Sequence, residues 1–341
     1  MMKIRLLILW ALFPLLACGK SKKETPKPDD QPANARIRTQ AYLFSWNGNW
    51  EAPVNSADIS KVTDLTLAFF NPTASGDFGP DMAALKRAVD AARGKNANVR
   101  IYFAIGGGSP SPHLENLIKP GLRSAFIAKI VQLATDAGYG FAGVDVDLEN
   151  DLINADYAGF VSQLGAALHA RNKVMTAALA RWKTQQSIAD STLQQFDFIN
   201  IMSYDETGFW NPSAPGPHAS HAKATGDFEY FRSRGIAAGK LLIGLPFYGY
   251  GFGPGFPATE ASSRTYSELV NTYPGAAEKD AVTVEGAGTI YYNGQPAIKR
   301  KVEYAISQGA AGVMIWEINQ DLPSTDTRSL LRTIHHTISG S

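Results

Sequence analysis

Three acids alternate with three aliphatics in Val144-Asp145-Val146-Asp147-Leu148-Glu149. Residues two apart on a β-strand share a face, so Asp145, Asp147 and Glu149 line one side and Val144, Val146 and Leu148 the other. A half-exposed strand with its acids in water would alternate in the same way, but the flanks argue against it. The segment follows Gly138-Tyr139-Gly140-Phe141 and ends in a turn-like Glu149-Asn150-Asp151 ahead of a helical stretch. Strands followed by helices, repeated along a chain, build a parallel sheet buried on both faces. Three stacked carboxylates inside such a sheet are too costly to be filler. Their repulsion must push at least one of them well above the usual carboxylate range, as happens where carboxyls do chemistry.

Other groups are more ambiguous when taken singly. Gly106-Gly107-Gly108 reads as a tight turn or as a phosphate cradle. The cradle is disfavoured because no Gly-Lys-Ser/Thr follows, and Pro110 and Pro112 stand where its helix would begin. Met202 and Tyr204 are as compatible with packing as with a ligand, and Trp316 taken alone reads as packing more than as a platform. His218 and His221 have a helical ligand spacing, but they fall in the Pro-rich loop 211–221, and no metal site is expected there. His335 and His336 read as solvated on a terminal helix.

The elements that must position these residues follow one rhythm. Short apolar runs recur at 40–46, 63–70, 98–106, 141–148, 173–180, 196–204, 240–248 and 311–318. Helical spacing lies between them, as in 81–93 with Met82, Leu85, Val89 and Ala92 on one face, and in 121–137 with Phe126, Ile130 and Leu133. Further helices are expected at 157–171, 225–233, 298–308 and 327–337. Eight strands alternating with helices predict an α/β fold of the (β/α)8 barrel type, with function at the C-terminal ends of the strands. A doubly wound sheet would need a Gly-rich dinucleotide turn, which is missing. The long interval 249–297 reads as a small lobe inserted after the seventh strand.

The chain of 341 residues carries Lys+Arg of 32 against Asp+Glu of 31, a net charge of +1, so neither a nucleic acid nor a polyanion is expected as partner. Aromatic content of 11% leans toward a ligand with flat apolar faces, such as a sugar. Lys3 and Arg5 precede the apolar run 6–16, too short to span a membrane and typical of a signal peptide. It ends in Leu15-Leu16-Ala17-Cys18, which resembles a bacterial lipobox with Cys18 as the lipidated residue. Cys18 is the only cysteine, so no disulfide or catalytic thiolate is expected. The Pro-rich polar segment 18–35 reads as a tether ahead of a folded region from 36 onward.

The strand motifs together carry a resemblance. Gly143-Val144-Asp145-Val146-Asp147-Leu148-Glu149 is similar to the fourth-strand signature of family 18 glycoside hydrolases, the chitinase and endo-β-N-acetylglucosaminidase group. Ala104–Gly107 resembles that family's Ser-x-Gly-Gly, and Met202-Ser203-Tyr204-Asp205 its Met-x-Tyr-Asp. Gly244–Gly249 resembles its Gly-x-Pro-x-Tyr-Gly, and Gly312–Trp316 its eighth strand. The likeness runs over residues 40–320 in order.

The resemblance implies retaining, substrate-assisted hydrolysis of bonds beside N-acetylglucosamine, without cofactor or metal. Glu149 is then the acid/base. Asp147 orients the substrate acetamide, Asp145 shares a proton with Asp147, and Tyr204 clamps the acetamide oxygen. Asp205, Trp316, Met202 and Gly107 are implied to contact sugar, with Tyr42, Phe69 and Trp46 lining the cleft. The implied partner is a chitin-like polysaccharide or glycan, met by a monomer held to a bacterial membrane, the outer one by expectation, through its lipid alone. An N-glycan endo-β-N-acetylglucosaminidase and a non-catalytic glycan-binding lipoprotein are the alternatives. Departures from the family pattern are Ala142 for the first Asp, Leu148 for Trp, Ala104 for Ser and Tyr250 for the Arg after Tyr-Gly.

Overall fold

The computed structural model describes residues 37–45, 47–79 and 81–340. The expected signal, Cys18, the tether and Trp46 lie outside the described residues.

Eight parallel strands close into a barrel: β1 (Arg38–Phe44), β2 (Asp64–Ala68), β3 (Arg100–Gly106), β4 (Gly143–Asp147), β5 (Val174–Leu179), β6 (Phe198–Ile201), β7 (Leu241–Pro246) and β12 (Gly312–Trp316). Their order around the barrel is β1-β12-β7-β6-β5-β4-β3-β2. Each of the eight expected runs overlaps one barrel strand. The helices Met82–Lys95, Pro120–Thr135, Tyr157–His169, His221–Ser233, Gln295–Ser307 and Leu330–Ser339 match the expected ones to within a few residues. The Met82–Lys95 helix starts where Asp81 caps it by accepting from the Ala83 and Ala84 amides, which satisfies donors that have no intrahelical partner. Met82, expected on its buried face, is instead 40% exposed in the first turn, while Leu85, Val89 and Ala92 are buried.

Strand alternation sorts the core into two layers. Outward residues such as Val144, Val146 and Leu148 are fully buried in one cluster with Phe126, Ile130, Phe160 and Leu164 of the flanking helices. Each such side chain contributes about 1.5–3 kcal/mol by leaving water. Inward residues form a second cluster inside the barrel, including Tyr42, Ala104, Ala178, Leu242 and Met314. Several alanines in it stand beside polar side chains from other strands, among them Asp145, Thr176 and Asn200. At the N-terminal end of the strands, fully buried Asp64 pairs with Arg38 at 3.0 Å and Arg100 at 2.7 Å.

The run expected at 240–248 divides. β7 ends at Pro246, and β8 (Tyr248–Phe252) belongs to a separate antiparallel sheet with β9 (Ser263–Thr265), β10 (Ala281–Val284) and β11 (Gly288–Tyr291). Phe247 makes the transfer, its N–H donating to the Trp316 carbonyl and its carbonyl accepting from the Tyr266 N–H. This sheet brings Tyr248 and Tyr250 to the C-terminal mouth of the barrel. Among the described residues, no helix is long and apolar enough to cross a membrane.

Candidate active site

β4 delivers its acids in steps from the lumen to the mouth. Asp145 is 0% exposed, Asp147 3% and Glu149, just past the strand end, 8%. Asp145 is ringed by donors: Tyr42 Oη at 2.7 Å to Oδ2, with Thr176 Oγ1 at 2.5 Å and Asn200 Nδ2 at 3.2 Å to Oδ1. Among the described residues, Asp147 Oδ1 is buried without a hydrogen-bond partner. Glu149 stands at the cavity, since a Cβ on the cavity-lining Gly108 would lie 3.8 Å from its Oε1.

Burial pushes all three carboxyls upward, for water no longer stabilises their charge. Asp145 rises to about 6, held from going further by its Thr176, Tyr42 and Asn200 donors. Asp147 has no such donors; burial and the neighbouring charges of Glu149 and Asp145 hold it well above the carboxylate range. Burial, then the Asp205 charge, brings Glu149 to about 7. The set therefore holds exchangeable protons near neutrality, in graded environments.

The segment just past β6, two strands along the barrel from β4, supplies the next group. Tyr204 is buried, and among the described residues its hydroxyl has only the Met314 thioether within reach, at 3.8 Å. Burial and the surrounding carboxylates push its phenol far up, so it remains an O–H donor. Asp205 adopts a left-handed backbone with φ of 59°, which Asp tolerates better than most residues. Its Oδ1 accepts from Tyr248 Oη at 2.6 Å and Tyr250 Oη at 3.0 Å. The Asp205 N–H donates to His218 Nδ1 at 3.4 Å, and His218 Nε2 faces the Tyr248 carbonyl at 3.3 Å.

Trp316 ends β12 at the floor of a cavity of about 940 Å³, also walled by Phe44, Phe69, Gly108, Asp205, Tyr248 and Tyr250. The Phe69 ring stacks on Trp316 with centroids 5.7 Å apart and planes 26° apart. Such a chamber, apolar at its floor and acidic at one wall, suits a sugar ring with polar edges.

Three residues expected to meet the sugar or line the cleft are not among those that line this cavity. Tyr42 is 1% exposed and its hydroxyl engages Asp145, because β1 faces β4 through the lumen. Met202 is buried in the lumen cluster. Gly107, at φ of 85°, lies under the Phe69 ring, where a Cβ would meet Phe69 Cε2 at 2.5 Å; Gly108 and Ser109 form the wall. His218 and His221 serve separate elements. His218 braces Asp205, and His221 opens the His221–Ser233 helix. His335 and His336, expected in solvent, are half-buried.

Thr176 and Asn200 fall outside the motifs read from the sequence, and Tyr248, Tyr250 and Glu317 carry no expected role there. Thr176 stands opposite Asp145 in the β4–β5 register, so period-two alternation on β5 was the available signal. Glu317 follows Trp316 at the cavity wall, where burial pushes its carboxyl up to about 7.

An eight-stranded parallel barrel with a stepped acidic triplet at the end of β4 defines a glycosidase-type site. Residues 38–321 match the model for glycosyl hydrolases family 18, and the chain belongs to that family. It is similar to the GH18 chitinase ChiB from the chitin utilization locus of Flavobacterium johnsoniae, with 35% identity, a TM-score of 0.77 and coverage of 89% of this chain and 94% of that one. A chitinase structure from Bacteroides thetaiotaomicron has 25% identity and a TM-score of 0.73 over 89% of this chain and 96% of that one. Chitinase C of Streptomyces lividans is 27% identical over 69% of this chain, and Chitinase 63 of Streptomyces plicatus 27% over 66%. The matches span only 44% and 43% of those two relatives.

Proposed function

We propose that the protein hydrolyses β-1,4 linkages beside N-acetylglucosamine in chitin or chito-oligosaccharides, with retention and with the substrate's own acetamide as nucleophile. The observation that carries this reading is the graded triplet: a proton-holding Glu149 at the cavity, and below it a buried Asp147 with an unpartnered oxygen. Glu149 donates its proton to the glycosidic oxygen as the bond to the anomeric carbon breaks. The acetamide oxygen attacks that carbon from the other face, giving an oxazolinium. Asp147 holds the acetamide N–H and balances the positive charge, with its proton shared toward Asp145. Tyr204 donates to the acetamide oxygen, a fixed dipole aimed at developing charge. Water then opens the ring, Glu149 taking its proton. Trp316 floors the sugar that is cleaved and Asp205 contacts it. This chemistry asks for no metal or cofactor, since the substrate supplies the nucleophile. The names of the F. johnsoniae and Streptomyces relatives support chitin as the substrate class.

The test is product analysis by mass spectrometry. Wild type and Glu149→Gln are incubated with chitohexaose and, separately, with a high-mannose glycoprotein. Shorter chito-oligomers from wild type alone are expected. Released glycan with intact chitohexaose would make the enzyme an endo-β-N-acetylglucosaminidase, and binding without turnover would make it a lectin. We also infer lipid attachment at Cys18, to be read as palmitate labelling that Cys18→Ser abolishes.

A further inference from the structure

Asp205 lines the cavity together with Gly108, whose Cβ position lies 3.8 Å from Glu149 Oε1, and it is held by two phenols. Both phenols of β8 donate to the same oxygen, Oδ1. Among the described residues, the one basic side chain within ion-pair distance of Asp205 is His218, with Nδ1 at 3.4 Å. His218 Nε2 faces a carbonyl, which can only accept, so Nε2 carries a proton; Nδ1 accepts from the Asp205 N–H and is unprotonated. Tyr250 is itself wedged by Trp210, Phe209 and His218, with ring centroids 5.2, 5.9 and 4.9 Å away. Resemblance to the family places Arg at this position. A guanidinium on Asp205 would neutralise the carboxylate, whereas a phenol anchors it and leaves its charge in place.

Resting on the hydrolase reading above, we propose that Tyr250 is a positioning residue for the proton donor. Together with Tyr248 it fixes the Asp205 carboxylate without neutralising it, so that the negative charge acts on Glu149. The other charge that Glu149 meets comes from Asp147 on β4. Glu260 faces Tyr250 from the lobe, and Tyr204 stays neutral. None of these supplies the missing cation.

The test is a carbon-13 NMR titration of the Glu carboxyls in the full chain, with the Glu149 signal assigned by its loss in Glu149→Gln. The Glu149 midpoint is expected to fall by roughly one pH unit in Tyr250→Arg and in Asp205→Asn, and to stay in place in Tyr250→Phe. The alkaline limb of kcat/KM on chitohexaose should move with it. Tyr250→Phe should lose roughly 3- to 10-fold in kcat, the effect of one hydrogen bond, with the limb unmoved. A Tyr250→Arg protein that titrates like wild type, or a Tyr250→Phe protein that shifts as far as Tyr250→Arg, would overturn the proposal. Should Tyr250→Arg fail to fold, an unmoved midpoint in Asp205→Asn would overturn it equally. Midpoints that move as stated in a protein that cleaves nothing would sink the hydrolase reading and leave the electrostatic link standing. Cleavage with immobile midpoints would do the reverse.

Discussion

Tyr42 and Asp145, 103 residues apart in the chain, meet inside the barrel through an O–H···O bond of 2.7 Å. The phenol anchors the deepest acid from β1 while Thr176 and Asn200 hold it from β5 and β6. Tyr42→Phe keeps the ring packing and removes one donor to a buried carboxylate, a loss of about 1.5–3 kcal/mol in such bonds. Steady-state kinetics on chito-oligosaccharides should show kcat/KM down by tenfold or more, with the barrel's far-UV circular dichroism unchanged.

The pH profile follows from the raised carboxyls. As the proton donor, Glu149 works below its value of about 7, so kcat/KM should fall tenfold per unit above it. At the acid end the Asp145–Asp147 pair must carry one negative charge, so activity should decline below about 6, the value for Asp145. A profile flat across this range would refute the assignment.

The same shifts have the opposite consequence for stability. Glu149 rises from 4.5 to about 7 on folding, so the folded state binds more protons and stability is lost as pH rises between those values. Replacing it by a neutral isostere removes that loss. Glu149→Gln should be inactive yet more stable at neutral pH by about 1–3 kcal/mol, an upper range because the group is not wholly buried. Differential scanning calorimetry at neutral and at acidic pH should show the gain vanish at the acidic end.

Two neighbouring glycines should respond differently to Ala. At Gly106, with φ of 107°, a Cβ would stand 2.1 Å from the Asp147 carbonyl oxygen, so β3 and β4 would have to separate. At Gly108 the nearest atom is Glu149 Oε1, 3.8 Å away. Gly106→Ala is expected to yield insoluble or unfolded protein. Gly108→Ala should fold with a Tm within a few degrees of wild type, a surface-type change.

Trp316→Ala should leave the acid triplet in place and remove the floor of the cavity. Its effect is expected mainly in KM for chitohexaose, upward by about tenfold or more, as for a central aromatic anchor. A change confined to kcat would assign Trp316 to packing with Phe69.

Local patterning in the sequence determined a good deal: eight apolar runs separated by helical spacing, the shared face of Asp145, Asp147 and Glu149, and the motifs that end five strands. Each depends on residues within one element, where a period of two or 3.6 fixes which side chains share a face. Tertiary structure decided the partners. Tyr42 became a lumen anchor rather than a cleft wall. Thr176 and Asn200 completed the Asp145 cradle, Gly107 ceded the wall to Gly108, and Phe69 came to rest on Trp316. Tyr250, visible in the sequence only as a departure from Arg, acquired its role when the chain left the barrel at Phe247 and carried a second sheet back over Asp205. The polar contacts around Asp145 and Tyr42 join residues 31 to 158 apart in the chain. Their geometry depends on barrel closure and strand register, which arise from the summed packing of all eight strands and from no single stretch of chain.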